Sequence, residues 1–171
     1  MLTYQAAISS DLHAIAQLHA QSWQQHYRGI LSDHYLDHVV QEDRLKIWSE
    51  RFDNPTDNQH IITAKENGQL IGFTCLFGGQ DPTYGTYIDN LHVDKQHQGK
   101  RIGRRLLRLA GQWAHQHYPR EGMHLLVFTA NVAAIQFYEK VGGKRVGVQF
   151  YDLGDGTGRM GETAKYYWNI N

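Results

Sequence analysis

Cysteine is almost absent: Cys75 is the only one in 171 residues. No intramolecular disulfide can form, which fits a reducing compartment. No apolar run approaches the roughly 18 residues of a membrane span. The segment Met1–Asp11 has neither a basic start nor an apolar stretch, so no signal peptide is expected. Excess charge is lacking too. Lys+Arg and Asp+Glu number 17 each, giving a formal net charge of zero. Such a balance gives no global pull toward nucleic acid or an anionic membrane, so neither is an expected partner and any basic patch must be local. No repeat, low-complexity segment or linker divides the chain. The expectation is one cytoplasmic domain, 1–171, with 41% apolar and 20% charged residues, a composition ordinary for a globular protein.

The periodicities then give elements. Leu2 to Ala6 reads as a short strand, and Ser9, Ser10 and Asp11 offer N-cap oxygens. Leu12, Ala16, Ala20, Trp23 and Tyr27 follow at helical spacing, ending at Gly29. Ser32-Asp33 can cap a second helical stretch carrying Leu36, Val40, Trp48 and Phe52, with a break expected near Gln41. Strands follow at 61–64 and 70–77 around Asn67-Gly68, a strong hairpin signal. Next come a strand at 86–93, a helix whose face carries Ile102, Leu106, Leu109 and Trp113, and a strand at 124–128. A helix at 131–141 closed by Gly142-Gly143 precedes two last strands, 144–153 and 163–170. This order predicts a mixed α/β fold: a mostly antiparallel central sheet with a parallel pair, and helices on both faces.

Between the strand at 86–93 and the next helix lies Gln98-Gly99-Lys100-Arg101-Ile102-Gly103. Strand, glycine-bearing turn and helix together aim free backbone N–H groups at an anion. Lys100, Arg101, Arg104, Arg105 and Arg108 crowd the same helix start. Cations there oppose the macrodipole by roughly 0.3–1 kcal/mol each, a penalty that a bound polyphosphate would reverse. A solvated basic face is the bland alternative; turn and cations together favour an anion site.

These residues resemble the signature turn of GNAT-superfamily acyltransferases, Gln/Arg-x-x-Gly-x-Gly/Ala, with Arg101 standing at the usual central glycine. The stretch Asn131-Val-Ala-Ala-Ile-Gln-Phe137-Tyr138-Glu-Lys-Val-Gly142-Gly143 is similar to the family's second motif, with Gly143 in place of the usual aromatic. The resemblance covers roughly Leu2 to Trp168. It implies a GNAT-like fold and an acetyl-CoA:amine N-acetyltransferase acting on a small-molecule or peptide amine. A non-catalytic acyl-CoA-binding sensor of the same fold is the alternative. A homodimer is carried as an expectation.

The resemblance also implies roles. Backbone along Leu91, His92 and Val93 would hold pantetheine. The segment Gln98, Gly99, Lys100, Arg101, Ile102, Gly103 and Arg104 would hold pyrophosphate. Asn131, Phe137 and Tyr138 would complete the acetyl-CoA site, with Tyr138 the general acid for the departing thiolate. Strand parity puts Tyr87, Asp89, Leu91 and Val93 on one face, with Ile88, Asn90 and His92 on the other. Asp89 is the first choice of base, with Tyr87 beside it, although Asp89 could instead bind a cationic substrate and a dedicated base is not required. Trp23 and Tyr27 join Tyr87 and Asp89 as acceptor-binding candidates.

Three features are set aside. Gly156-Thr-Gly158-Arg-Met-Gly161 matches a nucleotide-binding pattern but precedes a strand, so it reads as a hairpin loop that could border the acceptor pocket. His34 and His38 stand four apart without further ligand residues, so no metal is expected. Cys75 sits mid-strand and reads as core.

Overall fold

The computed structural model describes residues 1–119 and 122–170. The strands are β1 (Leu2–Ala6), β2 (Gln59–Glu66), β3 (Gln69–Asp81), β4 (Gly85–Val93), β5 (Met123–Phe128), β6 (Lys144–Asp152) and β7 (Met160–Trp168). The helices are α1 (Leu12–His26), α2 (Val40–Asp53), α3 (Ile102–His117) and α4 (Val132–Lys140). Asn67 and Gly68 both take positive φ, 51° and 85°, as a two-residue hairpin turn requires. The expected break near Gln41 is a π-helical turn at Tyr35–Val39 that runs into α2. No Ser9 or Ser10 side chain caps α1. Instead Asp11 accepts the Ile8 amide at 3.1 Å and pairs with Lys65 at 2.6 Å, a partner on β2 that local sequence cannot reveal.

The sheet order is β1-β2-β3-β4-β5-β7-β6. All pairings are antiparallel except β4–β5. One face buries Leu76, Ile88, Leu106, Leu125 and Tyr166 under α3, with Ile135 and Tyr138 of α4 packed against them. The opposite face buries Phe73 and Cys75 with Ile15 of α1 and Trp48 of α2. Cys75 is core, and burial pushes its thiol up to about 12.

Two irregularities in β4 shape the sheet around the cavity. The parallel register joins only Thr86 to Met123 and Tyr87 to His124; beyond Tyr87 the strands part. Within β4, Asn90 opposes Cys75 and Ile88 opposes Leu76 on β3. Asp89 between them has no opposite residue, which makes it a β-bulge, and a bulge bends and twists its strand. The extra residue also resets the alternation. Ile88, Leu91 and Val93 face α3, whereas Asn90 and His92 meet His19 of α1 and Asp89 meets Arg51 of α2. The simple parity of Tyr87, Asp89, Leu91 and Val93 on one face is therefore overturned: Asp89 turns to the opposite side from Leu91 and Val93.

Candidate active site

A cavity of about 580 Å³ fills the gap between the parted strands. Its walls are β4 from Ile88 to Val93, the end of α1, the start of α3, Leu125 to Val127 of β5, and α4. Past Tyr87 the β5-facing backbone groups of β4 have no strand partner. Backbone N–H and C=O groups demand hydrogen bonds, so this edge suits an extended ligand that pairs like an added strand.

At one end the chain turns tightly. The Asp94 carboxylate accepts the Gln96 amide at 3.0 Å, and the Gln98 side chain donates to the Val93 carbonyl at 3.1 Å. Gly99 has φ 78° and Arg101 has φ 65°. A Cβ at Gly99 would meet nothing within 4 Å, so glycine serves the left-handed backbone there, not space. Arg101 takes the same left-handed region, at a cost of roughly 1–2 kcal/mol, and so keeps the backbone path open to the usual glycine. Strain of this kind gathers at ligand clamps. Directly after it α3 begins, with its first N–H groups unpaired by helix geometry. Gly103 lies where α3 meets α4, and a Cβ there would make an ordinary contact with Phe137 at 3.4 Å. Asn131 caps α4 by accepting the Ala134 amide at 3.3 Å and lines the cavity.

The structure brings Leu91, His92, Val93, Gln98, Gly99, Arg101, Ile102, Gly103, Arg104, Asn131, Phe137 and Tyr138 to this cavity, along with Trp23, Tyr27 and Asp89. Lys100 and Tyr87 do not line it. Lys100 is exposed at the turn, while the Tyr87 ring packs 5.3 Å from His124 where the strands part.

At the other end the Tyr138 ring sits among Phe137, Tyr166 and Trp168. Burial, with the Tyr27 phenol adding to it, pushes its hydroxyl well above the usual phenol range. The group therefore stays protonated and remains a donor. Burial also raises Tyr27, to about 12, with Arg44 opposing and Asp89 assisting. Gly143 now has a reason. A Cβ there would lie 2.6 Å from Trp168 and 2.9 Å from the Tyr138 carbonyl; Trp168 fills the space. Restoring the family's aromatic, Gly143→Phe, is expected to destabilise the fold by at least about 1–3 kcal/mol through overpacking, read as a lower urea midpoint at unchanged m-value. An unchanged midpoint would remove Trp168 as the cause.

Several site residues escaped the sequence reading. Arg51 pairs with Asp89 at 2.7 Å and donates to the Asn90 side-chain carbonyl at 2.9 Å, clasping the bulge from α2. Its signal was present, since Arg44, Trp48 and Arg51 share one helical face, so two cations interrupt an apolar stripe. Beneath β4, the Trp48 indole donates to His19 at 2.9 Å, and Ser22 and His92 share a hydrogen bond at 2.8 Å. Burial, then His26 and Arg44, lowers His92 to about 3, so it is a neutral imidazole.

The glycine-rich loop between β6 and β7 is a hairpin loop, as its following strand implies. It docks on the α1–α2 connection. The buried Asp155 carboxylate accepts the Ser32 amide at 2.8 Å, the Thr157 amide at 3.0 Å and the Thr157 hydroxyl, and meets Arg159 at 3.3 Å. Arg159 also donates to the Ile30 carbonyl at 3.1 Å. Leu153 packs with Leu31 and Leu36 in a cluster that reaches Trp23, Tyr27 and Phe128. The rings of His34 and His38 lie 5.2 Å apart; among the described residues no group of three potential ligand side chains gathers for a metal. No described helix is long and apolar enough to cross a membrane.

The family model of the acetyltransferase (GNAT) family matches residues 13–143. The N-alpha-acetyltransferase RimI of Mycobacterium tuberculosis is 35% identical over 94 residues, covering 54% of this chain and 56% of that protein. A spermine/spermidine N(1)-acetyltransferase of Bacillus subtilis is 28% identical over 82 residues, covering 44% and 53%. The chain thus spans about half the length of the curated relatives it matches. The crystal structure of PaiA N-acetyltransferase from Thermoplasma acidophilum in complex with coenzyme A superposes with a TM-score of 0.73 at 21% identity, covering 98% of this chain and 99% of that one.

Proposed function

Because the chain belongs to the acetyltransferase (GNAT) family, we propose that it transfers the acetyl group of acetyl-CoA to a primary amine of a small molecule or peptide. The observation that carries this reading is the continuous cavity lined by the Gln98–Arg104 turn, the unpaired edge of β4 and Tyr138. The same fold holding coenzyme A in the Thermoplasma protein supports it.

The residues fit the ligand. Unpaired N–H groups at the start of α3 suit a pyrophosphate, with Arg101 and Arg104 beside them. The unpaired edge of β4 suits the amides of pantetheine. Acetyl-CoA supplies an activated acyl carbon and a thiolate leaving group. An amine must attack as its free base; a C–N bond forms and the C–S bond breaks. Tyr138 delivers the proton that the thiolate takes, and the proton shed by the acylated nitrogen passes through water to restore the phenol. Asp89, the one carboxylate lining the cavity among the described residues, accepts a hydrogen bond from the incoming amine.

Acetyl-CoA at a hundred times its Kd should stabilise the protein by about 2.7 kcal/mol, a Tm rise of roughly 5–10 °C for a domain of this size. The exposed cations of the turn are screened over about 8–10 Å. Affinity for acetyl-CoA should therefore fall with added salt more steeply than affinity for acetyl-pantetheine, which lacks the phosphates. No thermal shift with millimolar acetyl-CoA would sink the reading, and equal salt slopes would remove the cations from the site.

A further inference from the structure

The carboxylates near the acceptor end are already matched to arginines. Asp89, alone among the acidic side chains of the cavity wall, is held by Arg51 at 2.7 Å. Two turns earlier on α2, Asp43 pairs with Arg44 at 2.7 Å and accepts the Tyr35 hydroxyl. On the α1–α2 connection, Arg28 takes both Asp33, at 3.0 Å, and Asp37. Across from it, Asp155 is bound by Arg159 and by amides. Five carboxylates share four arginines, and the one excess negative charge sits on the exposed Asp33–Arg28–Asp37 cluster, which does not line the cavity.

Trp23 and Tyr27 are the aromatic part of a wall that also carries Ser22, His26, Asn90 and His92, with Phe128 behind Tyr27. Trp23 and Tyr27 lie 5.3 Å apart, and Phe128 meets Tyr27 edge-on at 5.2 Å. A free indole face could itself bind an ammonium group, but Arg44 already stands over Trp23 at 4.1 Å. A chain with several ammonium groups would have to shed water beside Arg44 and Arg51 with no counter-charge. Burying an unpaired charge is costly, and like charges nearby add to the cost. The reacting amine is different. It must be neutral to attack, so it needs a hydrogen-bond acceptor and not a counter-ion.

We infer that the acceptor is a monoamine, one primary amine on an otherwise uncharged and largely apolar or aromatic body, and that polyamines are excluded. An arylalkylamine and the α-amine of a peptide with neutral leading residues share this chemistry. The inference rests on the acetyl-transfer reading and narrows it.

The test uses the whole protein with saturating acetyl-CoA and reads thiol release. The acceptors are 2-phenylethylamine, a neutral tripeptide amide, spermidine and spermine, with kcat/KM compared per free-base amine. The better of the two monoamines should exceed both polyamines by at least about tenfold, the least expected from one uncompensated charge. The phenylethylamine and peptide arms separate the two sources of the monoamine. Arg51→Gln, which unpairs Asp89, should narrow the ratio by raising polyamine use; if that variant does not fold, the wild-type ratio decides alone. A ratio below tenfold, or a preference for spermine, overturns the inference and leaves acetyl transfer standing. Binding of acetyl-CoA without turnover of any acceptor defeats the transfer reading and this inference with it.

Discussion

Tyr138→Phe should lower the rate of acetyl transfer about 10²–10⁴-fold, the range for loss of a general acid. The ring keeps its contacts with Phe137, Tyr166 and Trp168, so acetyl-CoA affinity and Tm should barely change. An interaction made only in the transition state lowers kcat and kcat/KM together. The pH dependence sharpens the test. Burial holds the Tyr138 hydroxyl above the usual phenol range, so the wild-type rate should climb with pH as the acceptor amine loses its proton, without an alkaline fall from this residue. Asp89→Asn should be partly rescued at high pH, where free amine is plentiful; Tyr138→Phe should not. A pH–rate profile for both variants, taken where product release is not limiting, checks this. Wild-type rates for Tyr138→Phe across the profile would make it a packing residue, with the thiolate protonated by water.

Asp155→Ala should have the next largest effect. The carboxylate is buried and collects the Ser32 and Thr157 amides, the Thr157 hydroxyl and Arg159. Removing it strands those donors, at about 3 kcal/mol for a charge-assisted cluster. Because Asp155 ties the β6–β7 loop to the α1–α2 connection beside Trp23 and Tyr27, KM for the acceptor should rise while acetyl-CoA affinity holds. Burial alone would push the Asp155 carboxyl up, but the hydrogen bonds outweigh it and leave the group well below the ordinary range. A depressed carboxyl stabilises the fold above its unfolded value of about 3.9, and that contribution drains away as pH falls further. Urea midpoints followed from pH 7 down should therefore converge for wild type and Asp155→Ala below about pH 4. Parallel curves would show that Asp155 contributes by packing, and an unchanged acceptor KM would uncouple the two loops from the site.

How far the chain could be read before folding depended on the range of the cause. Helix faces, the Asn67-Gly68 hairpin and the strand–turn–helix around Gly99 are local patterns, and the structure has them where spacing implies. The Asp89 bulge was not legible. An extra residue in a strand carries no marker of its own here, neither glycine nor proline, and one insertion flips the faces on either side of it. Arg51 lies 38 positions from Asp89 in the chain, and only the packing of α2 against the sheet joins them. Gly143 looked like a lapse in a motif until Trp168, from the last strand, was seen to occupy its space. The signature turn implied Lys100 and strand parity with Asp89 implied Tyr87, yet Lys100 is exposed and Tyr87 packs on His124.

The two-rung seam between β4 and β5 also bears on how the molecule breathes. Four strands lie on one side of it and three on the other, joined across the gap, among the described residues, by pairs at Thr86 and Tyr87 alone. Hydrogen-bonded ladders hold a sheet as a cooperative unit; where the ladder is missing, opening costs less than global unfolding. The sheet therefore carries its own line of weakness, aimed along the cavity. A ligand lying in that gap and bonding to the free edge of β4 would act as the absent strand. In that state the ligand is part of the architecture: the two halves of the sheet would exchange their amide protons as one body while it is bound, and as two when it leaves.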